Sequence, residues 1–148
     1  MNNYIKNEYL DFANYHNSRL NIIIHILSGI LYMSSLNILS NNILLLPYIL
    51  LLLLLTLNKV DVILFSLFLL YLSTTVLQSY KLNYKTHIIL FINGCFIVPE
   101  LSHLITNEMI VLNINNISIV KLITNIVYFL PFSIDRFSEL SNIKKCIS

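Results

Sequence analysis

Long, almost uninterrupted apolar runs leave this chain few ways to fold. Residues 20–39, 43–57, 62–77, 87–105 and 117–134 are each built mostly from Ile, Leu, Val and Phe. About twenty helical residues cross the hydrocarbon core of a bilayer. Backbone N–H and C=O groups in lipid must be paired inside the spanning structure, which leaves helices or closed barrels. No alternating strands of about ten residues are present, so a barrel is excluded and helices are predicted. The chain has 148 residues, of which only 11% are charged, against about 25% in soluble domains. Two glycines and three prolines give few breaks. The pattern predicts an all-α integral membrane helical bundle, a single domain over residues 1–148 with four to five transmembrane helices.

The ends and joints follow from local chemistry. Ile5, Tyr9, Phe12 and His16 recur at three- and four-residue steps, with Lys6, Glu8 and Asp11 between them. Such a stretch predicts an N-terminal interfacial helix within residues 1–19. Asn17-Ser18 reads as a break, with Ser18 as N-cap of the first span. Asn37 to Asn42 predict a turn. Asn58 to Asp61 predict a tight connection, making spans two and three a helical hairpin. Residues 106–116 read as an Asn-rich connector. The last apolar run is interrupted by Lys121 and Asn125, with Lys121 placed to snorkel. It is predicted to break at Pro131 and give way to a polar tail over 135–148, with Asp135 and Arg136 at the surface. The first nineteen residues carry no basic n-region or cleavage site, so the first apolar block is expected to stay in the membrane. Lysines on both sides leave the orientation open.

Several function classes fall away. A net charge of +2 is too small and scattered for a nucleic-acid footprint. No nucleophile elbow, phosphate loop or zinc-type cysteine motif is present. Cys95 and Cys146 do not make a disulfide framework.

What remains is a small set of polar groups in or beside apolar runs. Ionisable residues at membrane depth are costly and are read first as functional. Glu100 and His103 are three apart, so on a helix they project from one face. That pairing presents metal ligands inward in helical bundles, or it joins two helices by hydrogen bonds. Pro99 fits the first turn of a new half-helix. His16 and His25 are nine apart and point oppositely on one continuous helix; a turn at Asn17-Ser18 lets them meet. Asn21 lies one turn before His25, where it can orient an imidazole. The metal candidates are thus His16, His25, His103 and Glu100, with Glu100 and Asn21 as candidate catalytic residues. The alternatives are an interfacial His16 and a structural His25. His87 reads equally as an interfacial residue, and Glu108 as a solvated connector residue.

The spacing His16-x4-Asn21-x3-His25 after Tyr15 resembles the N-terminal motif of the small membrane-bound 2-hydroxy fatty acid dioxygenases of the endoplasmic reticulum. Pro99-Glu100-Leu101-Ser102-His103 and the following Glu108 resemble that family's second motif, and Tyr128 to Asp135 are similar to a C-terminal segment in some eukaryotic members. The resemblance implies an Fe(II)-dependent enzyme of the endoplasmic reticulum membrane. Its partners would be a fatty-acid or lipid substrate and dioxygen, and it would remove one carbon as carbon dioxide. It implies iron ligands among His16, His25 and His103. The chain departs from the pattern where Gly29 is displaced, where a following Pro is absent, where Ser102 stands for Gly, and where Glu108 lies one residue further on. Reading the residues without the resemblance leaves two other functions: a small membrane scaffold whose polar residues join helices, and another metal-dependent membrane lipid enzyme.

Overall fold

The computed structural model describes residues 3–55, 59–108 and 119–147. Most of the Asn-rich connector, Asn58, and the side chains of Lys121, Asn125 and Cys146 lie outside the described part. The described residues are helical throughout, with no strand among them. The elements are α1 (Asn3–Tyr15), α2 (Arg19–Leu39), α3 (Leu45–Leu55), α4 (Val60–Ser79), α5 (Tyr84–Ile92), a π-helical turn (Asn93–Ile97), α6 (Val98–Thr106) and α7 (Ile119–Ile147). Among the described residues three helical stretches are long and apolar enough to cross a membrane: α2, α4, and the continuous stretch Tyr84–Thr106. The second predicted span, short already by its sequence, is described as far as Leu55. The 11 residues of α3 rise about 16 Å, well under a hydrocarbon core of about 30 Å.

The whole arrangement turns on α2, which packs against α4, α5, the π turn, α6 and α7. Beside Ile22, Tyr32 and Met33, many of its buried positions are small or polar, among them Asn21, Ser28, Gly29, Ser34, Ser35 and Asn37. Small residues let helix backbones approach closely where no hydrophobic drive between helices exists. A Cβ on Gly94 would lie 2.9 Å from the Ser28 carbonyl oxygen and 3.0 Å from Tyr32 Cβ. The π turn thus rests directly on α2. The outer faces of α4 and α5–α6 are apolar, with Leu64, Phe65, Phe68, Ile89, Phe96 and Leu101 exposed. Such a surface suits lipid rather than water.

The π turn also sets the phase of α6. At about 100° per residue, Ser102 on an unbroken α-helix would sit about 80° round from Gly94. A π turn absorbs one extra residue and brings Ser102 back to within about 20° of Gly94. His87, Gly94, Pro99, Ser102 and His103 are accordingly all buried.

The predicted break at Pro131 is corrected. Pro131 lies inside α7, which continues to Ile147. An interior proline removes one helical hydrogen bond and costs about 3 kcal/mol. Burial of Tyr128, Leu130, Phe132 and Ser133 around it offsets that cost. Asp135 and Arg136 are not free surface charges. Asp135 pairs with Lys59, whose ammonium lies 4.8 Å from the centre of the Tyr9 ring. Arg136 donates to the His16 carbonyl and to Asn17 Oδ1, each at 2.9 Å. Helix α1 buries Ile5, Tyr9 and Ala13, and Tyr9 and Phe12 meet Phe132 of α7 at 5.4 and 5.8 Å.

Gly94→Ala is expected to destabilise the protein by about 1–3 kcal/mol, because the new methyl meets backbone that cannot step aside. A thermal melt followed by circular dichroism checks this; a melt like that of the wild type would contradict the close packing of the π turn on α2.

Candidate metal centre

Three imidazoles come together from three segments. His16 leaves the end of α1, His25 stands in the second turn of α2, and His103 lies near the end of α6. One ring nitrogen from each falls within 4.8 Å of the others, and all three residues are buried. The ring centroids are 4.5, 4.7 and 5.2 Å apart. The chain turn at Asn17-Ser18 makes this possible. Ser18 is extended (φ −84°, ψ 128°) and its hydroxyl accepts from the Asn21 backbone N–H at 3.5 Å. The stretch Tyr84–Thr106 runs antiparallel to α2, so His103 near its end comes level with His25 near the start of α2.

The hydrogen bonds fix the ring chemistry. His16 Nδ1 lies 2.5 Å from the Phe12 carbonyl. A carbonyl only accepts, so the proton of His16 sits on Nδ1. His25 Nδ1 lies 3.0 Å from the Asn21 carbonyl, with the same consequence. Both Nε2 atoms then carry lone pairs, and they face each other at 2.9 Å. Two acceptors at that distance repel unless a cation lies between them. A metal about 2.0–2.1 Å from each nitrogen, with a near-right angle between its bonds, reproduces the separation. A shared proton fits poorly, because burial holds His16 down to about 4, helped by His103 and Arg136 and opposed by the Phe12 hydrogen bond and Glu108. The donor set therefore fits a metal ion.

His103 is held differently. Asn21 Nδ2 donates to Glu108, and Asn21 Oδ1 accepts from Ser102. The amide orientation is thus fixed, and Nδ2 also lies 3.3 Å from His103 Nδ1. In this geometry the His103 proton belongs on Nε2. His103 would offer a metal its Nδ1 only once the Asn21 bond is given up, or its Nε2 once the proton has moved and the ring has turned from Asn21. Phe12 stacks on His16 at 3.8 Å and Phe129 on His25 at 4.9 Å, so aromatic faces close the cluster from the α1 and α7 sides.

Of the residues singled out in the sequence, the structure gathers His16, His25, His103 and Asn21. Glu100 is not among them. Pro99 and Ser102 take the face toward α2, which turns Glu100 away from the histidines, and its Oε2 is buried without a hydrogen-bond partner. His87 is also apart; it is buried rather than at an exposed edge. Glu108 is the residue that the sequence reading undervalued. Its carboxylate accepts from the backbone N–H groups of Asn17 and Ser18, both at 2.6 Å, and from Asn21. Asn107 in the left-handed conformation (φ 55°) ends α6 and turns Glu108 back to this point. Burial raises the Glu108 carboxyl, but the bonds from Asn21, Asn17 and Ser18 outweigh it and leave the group below its ordinary value. A carboxylate at a helix N-terminus is favoured by the backbone dipoles there. The signal was present as Asn107-Glu108 after α6 and Ser18 before α2.

The depressed His16 value has a definite sign. The unfolded imidazole takes up a proton near pH 6.5 and the folded one only near 4, so stability is full above 6.5 and falls as the pH drops toward 4. For metal-free protein the loss due to His16 is about 3 kcal/mol. Melts across this range on wild type and His16→Gln check it; equal pH slopes would contradict the burial of a neutral His16. Glu108→Ala is expected to cost about 1–3 kcal/mol by leaving its donors unpaired.

Comparison with protein-family models, with curated proteins and with solved structures gives no match for this chain.

Proposed function

We propose that this protein is an Fe(II)-dependent membrane dioxygenase that shortens 2-hydroxy fatty acids by one carbon. The observation that carries the reading is the pair of imidazole lone pairs of His16 and His25 held 2.9 Å apart beside a third buried histidine. Three nitrogen ligands suit iron and leave positions open. Iron(II) bound there supplies sites at which dioxygen and the chelating hydroxyl and carboxylate of the substrate meet. The proposed reaction balances without an added reductant. A 2-hydroxy acid and dioxygen give the acid one carbon shorter, carbon dioxide and water. The C1–C2 bond breaks, the substrate is oxidised and dioxygen is reduced.

The protein's own groups prepare this chemistry. Phe12 and the Asn21 carbonyl hold the Nδ1 protons of His16 and His25, so both Nε2 atoms point inward. Ser102 and Glu108 fix the Asn21 amide beside His103. Phe12 and Phe129 limit water. In this reading α1 lies in the membrane interface, and the short apolar segment 43–57 and the first half of α7 add to the three spanning stretches to make four to five crossings. The membrane would be that of the endoplasmic reticulum, and an acyl chain would reach the histidines from the lipid.

A second reading is a membrane scaffold, favoured by the Asn21–Ser102–Glu108 network, which joins α2 to α6 without any metal. The two separate on activity. Detergent-purified protein loaded with iron(II) is expected to convert 2-hydroxypalmitate to pentadecanoate, with dioxygen consumed and carbon dioxide released. His25→Ala should be inactive, and Asn21→Ala slower by about 10–100-fold. Unchanged 2-hydroxy acid with folded, iron-loaded protein would overturn the dioxygenase.

A further inference from the structure

A cavity of ≈ 210 Å³ lies at the other end of α2, between α2, α3, α4 and α7. Its wall includes Met33, Leu36, Leu45, Tyr48, Leu70 and Val127, and no charged side chain lines it. Asn37 also contributes, but Asn37 Oδ1 and Tyr48 Oη are covered over, so the two residues present almost wholly carbon to the space. A buried water needs roughly two to four polar partners, and a wall of this kind cannot supply them. Protein interiors are close-packed, and a void forfeits the dispersion contacts of its lining. An apolar molecule restores those contacts; cavities of about 150 Å³ take up benzene.

The gap has a cause in the fold. Among the described residues α3 packs chiefly against α4, with no comparable contact to α2 or α7. The cavity is the space left between them. Its rim faces outward. Leu44 and Pro47 line the cavity and are also exposed, and Leu46 and Leu50 continue the exposed apolar surface along α3. On the α2 side the wall runs from Met33 to Asn37, inside the stretch Arg19–Leu39 that is able to span a membrane. At that depth the neighbouring molecules are lipid chains. We infer that the cavity binds the alkyl chain of a membrane lipid, inserted past Leu44 and Pro47 and wedged between α3 and the α2–α7 pair. The chain supplies the packing that α3 lacks on this side. The lipid headgroup stays outside, because burying a charge in an apolar wall is costly. The inference is independent of the metal centre.

The test is photolabelling of the full chain in phosphatidylcholine vesicles. The vesicles are doped with a phosphatidylcholine whose acyl chain carries a diazirine in its upper half or, in a second sample, in its lower half. Labelled residues are located by mass spectrometry. Labels are expected on Met33, Tyr48 or Leu70, which are buried and out of reach of lipid that stays outside the cavity. Ile63 and Tyr128 are at least as well buried as Met33 but do not line the cavity, and they should stay unlabelled. The exposed Phe65 and Phe68 of α4 give the reference for ordinary lipid contact. Leu36→Phe and Val127→Phe each add bulk at the wall and should lose the cavity labels while keeping those on Phe65 and Phe68. Labels confined to exposed residues with both probes would overturn the proposal. So would equal labelling of Ile63 and Tyr128, which reports general penetration by lipid rather than a site. Cavity labels undiminished in both variants would overturn it as well. The wild-type pattern decides the matter even where neither variant folds.

Discussion

Two imidazole nitrogens facing each other at 2.9 Å, both with their lone pairs turned inward, impose a requirement that much of the surrounding structure serves. His16 reaches this position only because the chain stops being helical after Tyr15 and restarts at Arg19. The restart is held from three sides. Ser18 caps α2, Glu108 accepts from the two backbone N–H groups that precede it, and Arg136 donates to the His16 carbonyl. Elements far apart in sequence are thereby tied to one short joint. A joint made only of apolar contacts would hold the helices, but it would not fix which imidazole nitrogen faces the centre.

The same end of the bundle shows how polar groups are kept in an apolar protein. Asn21 is wholly buried, yet its amide oxygen and nitrogen have partners in Ser102 and Glu108. A buried polar group that is fully bonded costs little, whereas an orphan costs the full desolvation of that group. By that standard the two ends of α2 differ. At the histidine end Asn21, Ser102 and Glu108 bond one another, and Glu100 Oε2 is left without a partner. The far end leaves Asn37 and Tyr48 without partners around a cavity.

Much of this was legible in the sequence. Apolar length identified α2, α4 and the Tyr84–Thr106 helix as able to span. Asn17-Ser18 was readable as a break, and that break makes a nine-residue histidine spacing compatible with one site. Other features were not legible, for physical reasons. A π turn has no sequence signature of its own; here it holds Gly94 against α2, and it decides which face of α6 is buried. Glu100 looked the better ligand because of its spacing from His103, but spacing does not say which flank of that face turns toward the neighbour. Glu108 looked solvated because its partners are backbone N–H groups about ninety residues away. Pro131 read as a breaker because local propensity favours that, while packing around Tyr128, Leu130 and Phe132 overrides it.

The most direct test of the metal centre is the metal content of the full chain, purified in detergent and loaded with iron(II), beside His25→Ala and Glu100→Ala under the same treatment. The account predicts near-stoichiometric metal in the wild type and in Glu100→Ala, and almost none in a folded His25→Ala. A folded wild type that retains no metal after loading would contradict it, as would a His25→Ala protein that binds metal as well as the wild type.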